Sequence, residues 1–153
     1  MANVAIGKKV PDIELHLTGG RRARLSDFTG RPLVLYFYPK DDTPGCTTQA
    51  CAFRDNIFAF RKIDAEIVGI SLDDVETHQE FAEKYSLPFT LLSDKDGETA
   101  KRYGVLKNYG VMKLASRQSF LIDPDGQIVK HYEKVDPESN STQMLADIES
   151  FRK

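Results

Sequence analysis

The sequence predicts an α/β fold with a central mixed sheet flanked by helices and an N-terminal hairpin. Three observations carry this. The run Leu33–Tyr38, LVLYFY, is unbroken apolar and aromatic, as a strand buried on both faces requires. Further short apolar runs alternate with segments whose apolar residues recur at helical spacing. Near the C-terminal end, Asp123-Pro124-Asp125-Gly126 separates two strand-like runs as a tight turn. At 153 residues, with 41% hydrophobic residues, the chain reads as one domain over residues 1–153 with a real core.

Taken in order, residues 1–12 form a lead-in that ends at Pro11. Ile13, Leu15 and Leu17 alternate with polar residues and predict a short strand; Gly19-Gly20 marks a turn, and Ala23 and Leu25 return as the second arm. A short turn around Phe28 follows. Pro39 ends the Leu33–Tyr38 strand and opens a loop, Lys40–Gly45. A helix is expected from Thr47 to about Lys62, with Ala50, Phe53, Ile57 and Phe60 on one face. Glu66–Ser71 reads as a second buried strand, Val75 to Tyr85 as a helix, Phe89–Leu92 as a third strand, and Gly97–Tyr103 as a short helix stopped by Gly104. Residues 105–116 have no clean period and read as partly loop. Gln118–Ile122 and Ile128–Tyr132 form an antiparallel pair, and a final helix runs from about Pro137 to Phe151 with Met144, Leu145 and Ile148 facing in. A βαβ unit with parallel strands, closed by an antiparallel pair, is the thioredoxin-like arrangement.

The formal net charge of -2 and the dispersed Lys and Arg residues exclude a basic nucleic-acid surface. The most apolar stretch is far shorter than the roughly 20 residues that span a bilayer, and the start carries no apolar run of signal-peptide length. The expectation is a soluble, cytoplasmic protein with neither nucleic acid nor membrane as partner. Two cysteines in a chain of this length do not make a secreted disulfide scaffold.

Those two cysteines carry the chemical reading. Cys46 falls where the first long helix begins, after Pro44 and Gly45, both suited to a tight loop feeding a helix start. Unpaired backbone N–H groups and the helix dipole there favour an anion, and the thiolate is the nucleophilic form of cysteine. Asp41 and Asp42 lie upstream and are expected to point to solvent. Thr43, three residues before Cys46, can turn its hydroxyl back towards the sulfur or an incoming oxygen. The N–H groups of Gly45 and Cys46 can hold that oxygen as charge develops. Arg117 just precedes the Gln118–Ile122 strand, whose end can lie beside the end of Leu33–Tyr38, and is the candidate to close over the sulfur. Five residues on a regular helix rise about 7.5 Å and put the Cα atoms of Cys46 and Cys51 roughly 8–9 Å apart. A disulfide needs about 6.8 Å or less. If the two bond, the first turns of the helix must unwind.

Other uses of these residues stay open on composition alone. Cys46 can be a small buried hydrophobe, and Cys51 a core residue. A structural zinc site wants four ligands, commonly including two close cysteine pairs; there is no second pair, and His16, His78 and His131 fall on different elements, as surface or hydrogen-bonded histidines.

Pro39, Thr43 and Cys46 form the P-x-x-x-T-x-x-C signature of the peroxiredoxins, and the run YPKDDTPGCTTQACAFRD resembles their bacterioferritin comigratory protein or PrxQ branch. LSDFTGRPLVLYFYPKD, LLSDKDGETAKRYGV and SRQSFLIDPDG extend the resemblance over nearly the whole chain, with a departure between Tyr103 and Arg117. The resemblance implies that Cys46 is the peroxidatic cysteine, activated by Thr43 and Arg117 and shielded by Pro39, and that Cys51 is the resolving cysteine. It implies an atypical 2-Cys thiol peroxidase acting on hydrogen peroxide and alkyl hydroperoxides. The Cys46–Cys51 disulfide would be re-reduced by thioredoxin or a similar dithiol, with no metal, haem or flavin, in a monomer. Two rivals differ in class. A thioredoxin-like disulfide reductase calls for C-x-x-C at the helix start and a proline before the late strand, and Ser116-Arg117-Gln118 has none. A redox-sensing or chaperone-like binding module would react with peroxide once without turning over.

Overall fold

A computed structural model describes residues 5–17 and 21–151. Its centre is β3 (Leu33–Phe37), the apolar run, with every residue buried. Strand alternation splits that run between two cores. Leu33, Leu35 and Phe37 enter one, with Ile13, Leu25, Ala100 and Tyr103. Val34, Tyr36 and Tyr38 enter the other, with Cys46, Phe53, Phe60, Phe81 and Met144.

On one side β3 pairs in parallel with β4 (Glu66–Ser71), which pairs in parallel with β5 (Thr90–Ser93). On the other it pairs antiparallel with β8 (Gln118–Ile122), and β8 with β9 (Ile128–Tyr132). The hairpin β1 (Glu14–His16) and β2 (Arg22–Arg24) joins the β5 edge, giving the order β2-β1-β5-β4-β3-β8-β9. The Gly19-Gly20 turn predicted to join its arms lies outside the described residues. The mixed sheet with helices on both faces is the α/β, thioredoxin-like arrangement read from the sequence.

Four details differ from the sequence reading. The helix expected over residues 47–62 is two helices, α1 (Pro44–Asp55) and α2 (Ile57–Lys62). The break is Asn56, at φ -99° and ψ 9°, whose side-chain amide donates to Ser141 Oγ at 2.9 Å. The stretch read as partly loop forms a separate hairpin, β6 (Leu106–Asn108) with β7 (Lys113–Ala115). Its strands are too short to print an alternation, and Gly110 takes φ 83° in its turn. The third strand starts at Thr90, not Phe89. The last helix, α5, is Asn140–Phe151 rather than starting at Pro137. The preceding residues form a turn in which the Ser139 and Asn140 amides both donate to the Asp136 carbonyl. The remaining helices are α3 (Val75–Tyr85) and α4 (Glu98–Arg102).

Candidate active site

The parallel strand β3 ends against the N-terminus of α1, and this junction holds the predicted residues. Thr43 is the N-cap, Pro44 occupies the first helical position, and Cys46 sits in the first turn. Proline costs nothing there, because its missing N–H would have no intrahelical partner. The Thr43 side chain makes no capping bond. It does not turn to the sulfur either: its hydroxyl donates to the Lys40 carbonyl at 2.8 Å. A hydroxyl has one proton, and with that proton committed its oxygen is left as an acceptor.

Cys46 is buried at 1% exposure on the inward face of α1, beside Gln49, Ala50 and Phe53. Burial of Phe53 alone contributes on the order of 2 kcal/mol, which holds this face to the sheet. Cys51 is half-buried on the same unbroken helix, and both cysteines are free thiols. Pro39, at the end of β3, is half-buried.

Arg117 arrives from the strand beside β3, just ahead of β8. The register of β3 and β8 places Phe37 opposite Gln118, so the residue before Gln118 lies at the β3 end that leads into the loop. Arg117 Nη2 lies 3.4 Å from Cys46 Sγ, and Nη1 donates to Gln49 Oε1 at 2.8 Å. The guanidinium is therefore aimed by a second bond. Gln49 is itself fixed, its amide donating to Asn140 Oδ1 at 3.1 Å, an oxygen that also accepts from Ser119 Oγ at 3.0 Å. A side chain at position 45 would put its Cβ 2.8 Å from Arg117 Nη2. Glycine there leaves the space the guanidinium fills. Tyr36, packed on Phe53 at 4.8 Å between ring centres, keeps a neutral hydroxyl. Burial pushes its pKa well up, and the neighbouring Cys46 and Asp41 side chains act in the same direction.

Asp42 points outward, as the sequence reading had it. It bonds Lys84 Nζ at 2.7 Å and Tyr85 Oη at 2.8 Å, and these bonds, that to Lys84 first, hold its carboxyl below the usual range. Its φ of 56° is in the left-handed region, which Asp tolerates better than most residues. Asp41 corrects the reading: it is buried at 4% exposure and bonded to His78 and Tyr38. Gln49 and Asn140 join the site with no motif to mark them. Gln49 leaves a trace in the sequence, since it is a polar residue on the inward stripe that runs Cys46, Ala50, Phe53. Asn140 leaves none, because Asn before a helix reads as a cap.

The profile of the AhpC/TSA family matches residues 6–131. Peroxiredoxin Bcp of Bacillus subtilis (strain 168) is 43% identical over an alignment of 152 positions that covers 97% of this chain and 97% of that one. The crystal structure of peroxidoxin BcpB from Mycobacterium tuberculosis superposes with a TM-score of 0.91 at 34% identity, covering 98% of this chain and 99% of that one. The Xanthomonas campestris bacterioferritin comigratory protein, in structures concerned with its alkyl peroxide reduction activity, gives a TM-score of 0.89 at 34% identity over 100% of both chains. Likeness of this extent, over a buried thiol faced by an arginine, leaves one assignment: the chain belongs to the AhpC/TSA family, as a thiol peroxidase of its peroxiredoxin Bcp and Q branch.

Proposed function

We propose that Cys46 is the residue that reacts with peroxide and Cys51 the residue that resolves it. The observation that carries this is the Arg117 guanidinium 3.4 Å from Cys46 Sγ, held there by Gln49. A fixed cation beside the sulfur stabilises negative charge on it and on the oxygen that leaves. The sulfur of Cys46 attacks one peroxide oxygen. An S–O bond forms, the O–O bond breaks, and the departing oxygen takes a proton to leave as water or an alcohol. Cys46 becomes a sulfenic acid. Thr43, its hydroxyl hydrogen bonded to the Lys40 carbonyl, accepts a hydrogen bond from the bound hydroperoxide, and the Gly45 and Cys46 amides face the developing charge. Pro39 limits access of water.

Resolution needs the helix to open. Cys46 and Cys51 share α1, where five residues separate their Cα atoms by roughly 8–9 Å. The first turns unwind, Cys51 sulfur attacks the sulfenic sulfur, an S–S bond forms and water leaves. Thioredoxin or a similar dithiol protein then reduces the disulfide by exchange. Hydrogen peroxide and alkyl hydroperoxides are the substrates. Both cysteines lie in one chain, so a monomer suffices; sedimentation at working concentration tests this, and a stable dimer would overturn it. Likeness to the bacterial Bcp protein supports a cytoplasmic location, which cell fractionation tests. No described helix is long and apolar enough to cross a membrane.

The test is single-turnover reaction with hydrogen peroxide, read by thiol count and intact mass. The wild type is expected to lose both thiols rapidly with loss of a pair of hydrogens. Cys46→Ser is expected to lose reactivity, and Cys51→Ser to stop at a Cys46 oxygen adduct. Oxidation at the same slow rate in the wild type and Cys46→Ser would sink the assignment.

A further inference from the structure

The loop that delivers Cys46 is tied down at Asp41 by the side chains of Tyr38, Asp73 and His78. Asp41 Oδ2 lies 2.6 Å from His78 Nδ1 on α3, and Asp41 Oδ1 accepts from the Tyr38 hydroxyl at the end of β3. The Asp41 amide donates to Asp73 Oδ2 at 2.8 Å, an oxygen that also accepts from Ser71 Oγ at 2.6 Å. His78 is fixed from behind, its Nε2 lying 3.0 Å from the Leu92 carbonyl of β5. Asp41 and His78 are both almost wholly buried, at 4% and 1% exposure. A backbone carbonyl only accepts, so Nε2 carries a hydrogen. The short contact at Nδ1 faces a carboxyl oxygen, so the pair must hold a hydrogen there too. A buried polar pair made this way is costly to break, since either partner alone is left unsatisfied.

Nothing in the peroxide chemistry uses these side chains directly. What they hold is the backbone two residues before Thr43 and five before Cys46. The chain on the far side is held by Phe53, fully buried. Opening of α1 must therefore happen between two fixed points.

We propose that Asp41 and His78 are positioning residues for the peroxide step, their mutual bond fixing the loop that ends at Thr43 and Cys46 and remaining made while the helix start beyond it opens. The inference rests on Cys46 as the peroxide-reacting residue. The two can fail separately. If Cys46→Ser reacts like the wild type, the site assignment is wrong. If only Cys46→Ser loses reactivity, this proposal alone is wrong.

The test follows the separate steps by stopped flow. Asp41→Ala and His78→Ala are expected to slow the reaction of Cys46 with hydrogen peroxide by about 10- to 100-fold, as displacement of a reacting group by about an ångström does. Reduction of the preformed disulfide by thioredoxin should be unchanged. The double variant should be no slower than either single one, because the two residues act as a unit. Asp41→Asn should recover most of the loss, since its amide can donate to His78 Nδ1 while its oxygen accepts from Tyr38. Folded alanine variants with wild-type peroxide rates and only a lowered Tm would show a purely structural pair and overturn the proposal. So would an Asp41→Asn variant as slow as Asp41→Ala. Should the alanine variants not fold, amide hydrogen exchange on the wild type decides. The Asp41 amide should stay protected in both the dithiol and disulfide forms, while the amides of residues 47–51 lose protection on oxidation. Loss of Asp41 protection together with theirs would overturn the fixed-anchor idea.

Discussion

Two segments converge on Arg117 and Cys46, and they are built in opposite ways. The loop 38–46 is short and tied by polar bonds, of which Asp41 to His78 is buried: Asp41 to His78 and Asp73, Thr43 to Lys40, Cys46 to Arg117. The hairpin 105–116, which leads directly into Arg117, stands on two three-residue strands, with Tyr109, Val111 and Met112 at its exposed tip. Apart from the ladder, its base is closed by the Ser116 amide donating to the Val105 carbonyl, and its backbone is tied to the body by the Val105 amide donating to the Ala100 carbonyl of α4. Arg117 thus follows a loosely built element, yet its guanidinium is fixed, because Gln49 on α1 fixes it from the other side. Precision at the sulfur comes from α1 and its loop, not from the hairpin that carries the arginine in.

The largest effect should come from breaking the space that lets the two segments meet. In Gly45→Ala the new Cβ meets Arg117 Nη2, the far end of a flexible side chain, at 2.8 Å. The guanidinium can swing away at little cost in stability, but it then leaves Cys46. The peroxide rate constant should fall about 100-fold, the usual cost of one lost charge-stabilising donor, while Tm changes little. Equal losses in both would mean that glycine serves the fold and not the arginine.

Gln49→Ala asks the same question more gently. It removes the acceptor for Arg117 Nη1 and the donor to Asn140, without touching the sulfur. A roughly tenfold loss of peroxide rate is expected, with about 1–3 kcal/mol of stability lost because buried partners go unsatisfied. A wild-type rate in a destabilised protein would return control of Arg117 to its own strand.

The opposite side of the comparison should be nearly silent. Val111→Ser and Met112→Ser act on exposed tip residues, so Tm should move by less than the shift expected from about 0.5 kcal/mol. The peroxide rate should stay at the wild-type value. A tenfold slower peroxide step in these variants would mean that the hairpin takes part in placing Arg117.

How much of this was legible follows the same division. The apolar run of β3 and the stripe Ala50, Phe53 and Phe60 print their periods in the chain, and Cys46 with Arg117 can be placed from them. The helix break at Asn56 cannot, because the apolar spacing continues through it and the bond that stabilises the break reaches Ser141, on another element. Burial of Asp41 is equally hidden. Two adjacent aspartates read as solvent-facing until strand order brings His78 beneath the first and Lys84 beside the second. Local patterns report periodic elements. A buried polar tie between elements 37 residues apart leaves no local pattern.

The smallest effect concerns the strand under Arg117. His131 on β9 stacks on Phe120 and bonds Gln118 Oε1 through Nε2 at 2.7 Å, supporting the residue that follows Arg117. Burial lowers its pKa, with Glu133 opposing weakly. A histidine with a lowered folded pKa favours the fold when neutral, so its contribution is present above about pH 6.5 and lost as pH falls through the lower folded value. Tm of the wild type should therefore drop more steeply than that of His131→Gln as pH is lowered from about 6.5. The peroxide rate at neutral pH should be equal in the two proteins, since Gln49 still aims the guanidinium. Parallel Tm curves would remove His131 from the acid response, and a slower peroxide step in His131→Gln would show that β8 shares in positioning Arg117 after all.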